Sequence, residues 1–107
     1  MIPTHRAPTP PGEILLEEFL KPHGLSQVEA AQRMAMPLNR LNEVIRGKRG
    51  ITADTALRLA RLLNTSPEFW MNLQTASDLY QASRALALAE ASQIATKGRD
   101  DGRSFRQ

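Results

Sequence analysis

The chain has 107 residues, with 14 Lys and Arg against 11 Asp and Glu, a formal charge of +3 and no cysteine. This length fits one small domain, and the lack of cysteine excludes disulfides, thiolate metal sites and cysteine nucleophiles. No apolar run approaches the roughly 20 residues of a membrane helix, and prolines stand where a secretory signal would be apolar, so we expect a cytoplasmic protein.

The first predicted segment is a flexible arm over residues 1–12, which hold four of the seven prolines and show no hydrophobic periodicity. A domain over residues 13–81 follows, and its first helix ends before Pro22 and Gly24. The apolar positions of this helix are Ile14, Leu15, Phe19 and Leu20.

Two short helices come next, separated by only two or three residues. Ser26 and Glu29 form a capping box that starts a helix over residues 26–34. This helix is expected to bury its apolar positions Val28, Ala31 and Met34. Pro37 suits the first position of a helix over residues 37–46, which Gly47 closes. The apolar positions of this second short helix are Leu41, Val44 and Ile45.

Two further helices complete the prediction. Thr52 caps the fourth, and Ser66 with Pro67 starts the fifth. The fourth buries Ala56, Leu59, Ala60 and Leu63, and the fifth carries Phe69, Trp70, Leu73, Ala76 and Tyr80. Residues 82–107 are expected to form an alanine-rich helical extension and, from Thr96, a disordered tail. No segment alternates with period 2, so the predicted fold is all-α with five helices.

The spacing of the two short helices is that of a helix-turn-helix. Charge is unevenly placed around it: residues 13–29 carry four acids against one lysine, and residues 37–50 carry four cations against one acid. A basic patch on a small helical domain favours nucleic acid as a partner, although an ordinary solvated face has the same composition.

Residues 12–75 resemble the lambda-repressor-like (XRE) helix-turn-helix domain, specifically the HigA-type antitoxin of toxin–antitoxin modules. The matching runs are residues 11–15, 24–27, 39–43, 47–56 and 66–74. One position departs from the pattern: Ala35 stands where most such turns have glycine. A left-handed conformation costs a residue with a Cβ roughly 1–2 kcal/mol, so a slightly different turn is expected, which leaves the register of the next helix open by about one residue.

The resemblance implies a homodimer that binds double-stranded operator DNA, represses its own operon and neutralises a HigB-type mRNA endonuclease carried on a separate chain. The open alternative is a stand-alone XRE repressor without a toxin. An enzyme is excluded, because the sequence offers no nucleophile–base pair, phosphate loop or metal-ligand cluster. No cofactor and no metal are expected.

The same resemblance assigns candidate site residues. Those aligned with base-reading positions, or lying beside them, are Leu38, Asn39, Arg40, Asn42 and Glu43. Those assigned to phosphates are Ser26, Gln27, Arg46, Lys48 and Arg49. Alternatives stay open for several of them. Arg40 reads guanine or holds a phosphate, and Glu43 accepts from cytosine or pairs with Arg40 or Arg46. Asn42 and Gln27 alternatively face solvent, and the three cations alternatively belong to a solvated loop in which Arg46 interacts with the helix dipole.

Three apolar residues of the fifth helix have two possible places. Phe69, Trp70 and Leu73 follow helical spacing, which suits either the core or a dimer interface, where aromatic residues are enriched. We assign them to the dimer interface.

Overall fold

The computed structural model describes residues 6–97, with side chains as far as residue 93, and this part of the chain forms five helices and no strand. The all-α prediction is confirmed. Helix α1 is α-helical over Pro11–Ile14 and π-helical over Leu15–Leu20. The others are α2 (Gln27–Arg33), α3 (Leu38–Ile45), α4 (Ala53–Leu63) and α5 (Pro67–Lys97).

Helix α1 begins at Pro11, two residues before the predicted boundary of the arm. Pro11 and Gly12 are both buried, so the predicted arm over residues 1–12 ends too late. The reason is a close approach to α3: a Cβ on Gly12 would overlap the carbonyl oxygens of Val44 and Ile45. Glycine therefore lets the start of α1 rest on the end of the third helix.

Helix α2 starts as predicted, because the Ser26 hydroxyl accepts a hydrogen bond from the Glu29 N–H at 3.0 Å. Its buried residues are Ala30 and Ala31, and Met34 at its C-terminus is also buried. The prediction that Val28 is buried is wrong, since half of this side chain is exposed. Val28 lies in the first turn of α2, at a surface groove described below.

The turn between α2 and α3 keeps the usual helix-turn-helix geometry despite its alanine. Ala35 has φ 55°, the left-handed conformation that glycine would adopt, so no change of register is needed. The Ala35 N–H donates to the Gln32 carbonyl at 3.1 Å, and the Met36 N–H donates to the Ala31 carbonyl at 3.0 Å. Pro37 precedes α3 in an extended conformation, so the helix begins at Leu38.

The core forms where the five helices converge, with buried apolar side chains from each of them. Leu41 and Val44 of α3 are buried as predicted, and Ile45 is partly buried. Thr52 caps α4 through its hydroxyl, which accepts from the Thr55 N–H at 3.3 Å. In α4, Ala56, Leu59 and Leu63 are buried, whereas Ala60 is only partly so.

Helix α5 has 31 residues, about 46 Å of helix, and runs without a break past the predicted domain boundary at residue 81. Trp70 is completely buried near its start, and the indole N–H donates to the Thr65 hydroxyl at 2.7 Å. From residue 81 to residue 93 the side chains are exposed except Ser83. Thr96 and Lys97 are still helical, where a tail was predicted, and the rest of that tail lies outside the described residues.

Candidate nucleic-acid interface

An open groove lies between the N-terminal ends of α2 and α3. The six residues that line it are Ser26, Gln27, Val28, Leu38, Asn39 and Asn42. Five of them are residues to which the sequence assigned DNA contacts, and Val28 is the additional one. Leu38 is 44% exposed and Val28 is 50% exposed. The groove thus combines amide and hydroxyl groups with two apolar side chains open to solvent.

A chain of amide hydrogen bonds ties the floor of this groove together. The Asn42 Nδ2 donates to the Gln27 Oε1 at 3.1 Å, joining α3 to the first turn of α2. The Arg46 guanidinium donates to the Asn42 Oδ1 at 3.3 Å. Asn42 is partly buried and bonded on both sides, so it does not simply face solvent.

Arg40 and Glu43 point to other partners than those predicted. The Arg40 guanidinium donates to Asp54 at 2.7 Å and to the Thr55 hydroxyl at 3.1 Å, so it faces α4 and does not line the groove. Glu43 pairs with Arg49 at 2.8 Å, whereas the sequence suggested Arg40 or Arg46. Helical spacing suggested partners for Glu43 within α3, but Glu43 pairs with the loop that follows α3, and Arg40 pairs with α4.

Three exposed cations, Arg46, Lys48 and Arg49, follow α3 in a short loop. The loop turns at Gly47, with φ 77°, and the N–H groups of Lys48 and Arg49 donate to the Glu43 carbonyl at 2.8 and 3.2 Å. The structure therefore places the predicted phosphate-binding cations side by side at the C-terminal end of α3.

Gln74 of α5 holds the far end of the same loop. Its Oε1 accepts from the Ile51 N–H at 2.7 Å, and its Nε2 donates to Asp78 at 2.9 Å. A Cβ on Gly50 would lie 3.2 Å from the Gln74 amide, so the packing there is tight. The sequence analysis included Gln74 in a matching run without a role, because nothing local links it to a loop more than 20 residues earlier.

Asp54 is the acid closest to Arg40 at the side of α3. Hydrogen bonds from the Arg58 and Arg40 guanidinium groups hold the pKa of the Asp54 carboxyl below its usual range. The carboxylate stays ionised around neutral pH, so it holds Arg40 of α3 against α4 and also pairs with Arg58 of its own helix.

The three residues predicted for a dimer interface differ in exposure. Trp70 has no exposed surface within the chain, so its assignment to an interface is wrong: it packs against Phe19, with ring centroids 5.1 Å apart. Phe69 is 37% exposed and Leu73 is partly buried. The sequence analysis missed the exposed leucines further along α5, which are Leu79, Leu86 and Leu88.

Within residues 6–97, no group of three or more histidine, aspartate or glutamate side chains is placed to hold a metal ion. In the same part of the chain, every helix is too short or too polar to cross a lipid bilayer.

Comparison with known proteins gives one family match and several close relatives. The helix-turn-helix family model matches residues 16–70. Virulence-associated protein I of Dichelobacter nodosus is 51% identical over 74 residues, which cover 69% of this chain and 68% of that protein. Antitoxin HigA-1 of Vibrio cholerae is 40% identical over 77 residues, which cover 72% of each chain.

Solved structures agree with these relatives. The structure of Pseudomonas aeruginosa antitoxin HigA with the higBA promoter is 41% identical and has a TM-score of 0.67. The match covers 81% of this chain and 90% of that one.

Proposed function

Because the chain belongs to the XRE-type helix-turn-helix family, we propose that it is a DNA-binding repressor and the antitoxin of a HigB-type toxin. The observation that carries the DNA-binding part is the groove between α2 and α3, flanked by the loop of three cations. A groove of this kind offers base-reading groups and phosphate-binding groups on one face.

The first half of α3 enters the major groove of the operator. Asn39 is exposed at its start, where a carboxamide pairs with adenine through both of its polar atoms. Leu38, beside it, contacts a thymine methyl group. Ser26 and Gln27 approach a phosphate at the start of α2, and Asn42 orients Gln27 through the hydrogen bond between them.

The loop of three cations after α3 neutralises phosphates beside α3, the recognition helix. Arg46, Lys48 and Arg49 are all exposed, and the loop that carries them is anchored at Gln74. Each phosphate neutralised releases counterions, so the affinity for any DNA falls as salt rises.

The chain acts as a homodimer, because one recognition helix reads only a few base pairs and two half-sites about 34–36 Å apart give sufficient specificity. Helix α5 supports this part of the proposal, since Leu79 and Leu86 lie seven residues apart on one face and are each more than half exposed. Phe69 and Leu73 of the same helix supply further exposed apolar surface, and Trp70 lies in the core behind them.

Neutralisation of a toxin is the second activity. The similarity to proteins named antitoxin HigA supports it. The partner is a HigB-type mRNA endonuclease on a separate chain, held by the antitoxin and not cut or modified by it.

Two experiments test the two activities separately. Selection from a random duplex library with the purified chain is expected to yield a two-fold symmetric sequence, and recovery of no sequence would refute operator binding. Purification of the tagged chain from its native host is expected to bring down a small basic protein in fixed proportion. Recovery of the chain with DNA alone would favour the stand-alone repressor.

A further inference from the structure

Arg58 of α4 contacts the turn of the helix-turn-helix, although it belongs to neither of the two helices. Its Nη1 donates to the Met34 carbonyl at 2.6 Å and to the Ala35 carbonyl at 3.2 Å. These two carbonyls end α2 and form the left-handed turn, where no further helical N–H is available to them. Arg58 therefore closes the end of α2 from outside.

The same side chain is joined to the recognition helix through one carboxylate. Arg58 Nε donates to Asp54 Oδ2 at 2.9 Å, and Arg40 of α3 donates to the same oxygen at 2.7 Å. Arg40 also donates to the Thr55 hydroxyl at 3.1 Å, and Thr55 is 1% exposed. A continuous set of hydrogen bonds thus runs from the turn, through α4, to the first half of α3.

We propose that Asp54 and Arg58 are positioning residues for DNA recognition, which set the angle of α3 by tying the turn and Arg40 to the same carboxylate. This inference rests on the proposed function. The network acts on the two points that fix the helix: the turn before it and a side chain in its own first half. A guanidinium suits this task, because its planar array of donors fixes direction as well as distance.

The exposure of these side chains distinguishes a positioning role from a general contribution to the stability of the fold. The side chains of Arg40, Arg58 and Asp54 are 28%, 34% and 53% exposed, and ion pairs this open to water add little to the free energy of folding. The orienting effect comes instead from the guanidinium hydrogen bonds to the two carbonyls of the turn and to the buried Thr55 hydroxyl. Arg40 is accordingly a structural partner of α4, and the bases are read by Leu38 and Asn39.

The experiment compares affinity for two duplexes. A duplex of about 30 base pairs, enough for two half-sites one turn apart, is selected from a random library with the unaltered chain and then compared with a scrambled duplex of equal composition. Dissociation constants come from the anisotropy of labelled DNA for Asp54→Asn, Arg58→Met and the double variant. Glu29→Gln is the control, because it also removes one negative charge from an arginine pair, but that pair lies within α2.

The expected result is a selective loss. Asp54→Asn and Arg58→Met lower the ratio of selected to scrambled affinity about tenfold or more, the value of one good base contact. The double variant falls no further than the larger single loss, because both changes break one network. Glu29→Gln keeps the ratio of the unaltered chain. Circular dichroism at the binding temperature shows that each variant is folded.

Three results would overturn the positioning role. A folded variant with an unchanged ratio shows that the angle of α3 does not depend on the network. An equal loss on both duplexes assigns the effect to charge or folding. If the unaltered chain selects no duplex, the proposed function fails and the positioning role fails with it. Should Arg58→Met unfold, Arg58→Lys is measured in its place, since it keeps the charge and loses the planar donors.

Discussion

Ala35→Gly is expected to make the protein more stable. Ala35 has φ 55° and its side chain is exposed, so its methyl group brings strain without buried contacts. The left-handed conformation costs a residue with a Cβ about 1–2 kcal/mol. Glycine also raises the entropy of the unfolded chain, which lowers the free energy of unfolding by about 0.4–1 kcal/mol. The middles of the two ranges leave a net gain of about 0.8 kcal/mol in the free energy of unfolding.

Thermal and urea denaturation measure this gain. One kcal/mol moves the Tm of a domain of this size by about 4–8 °C, so we expect a rise of about 3–6 °C. The urea midpoint should rise with an unchanged m-value, since the surface exposed on unfolding stays the same. Asn64→Gly is the matched control: Asn64 has φ 58° at the end of α4, but asparagine tolerates this conformation, and the gain should be smaller.

An unchanged or lower Tm for Ala35→Gly would refute the reasoning. It would mean that the Ala35 methyl group makes a contact worth more than the strain. A gain at Asn64 as large as that at Ala35 would show that glycine acts at both sites through something other than the Cβ.

Three further changes have distinct expected results. Asn39→Ala should weaken binding to the selected operator by about 1–3 kcal/mol and leave scrambled DNA unaffected; equal losses in titrations of both duplexes would contradict base contact. Lys48→Ala with Arg49→Ala should weaken both duplexes and reduce the slope of log K against log salt by about 1.8, whereas an unchanged slope would exclude phosphate contact. Gly12→Ala should cost about 3 kcal/mol in urea denaturation, because its Cβ meets backbone carbonyls. Gly24→Ala, where φ is positive but no atom lies within 4 Å, measures backbone strain without a clash, and a loss at Gly12 smaller than the loss at Gly24 would contradict the clash.

Local chemistry explains what the sequence predicted correctly. Ser26 and Thr52 cap their helices through side chains that reach N–H groups three residues away, so the signal lies within one turn. The buried faces of α3 and α4 follow the helical period for the same reason. The positions in the groove were assigned through the resemblance to helix-turn-helix domains and not through local chemistry.

Contacts between distant parts of the chain explain what was missed. The start of α1 depends on the space that Gly12 leaves beside α3, which no pattern near residue 12 reveals. Arg40 lies 14 residues before Asp54, and helical spacing offered nearer acids. Trp70 has the spacing of an exposed interface residue as well as of a core residue, and only the packing of Phe19 against it decides between them.

The burial of Trp70 provides an intrinsic fluorescence probe of folding. It is the single tryptophan of the chain, it has no exposed surface, and its N–H is bonded to Thr65. Its emission therefore reports the integrity of the packing between α1 and α5, and the groove between α2 and α3 lies elsewhere on the molecule. An unlabelled sample titrated with DNA should keep its indole spectrum while it binds, and lose it only when it unfolds. When the DNA carries the label, its anisotropy gives the occupancy and the indole emission gives the folded fraction of the same sample.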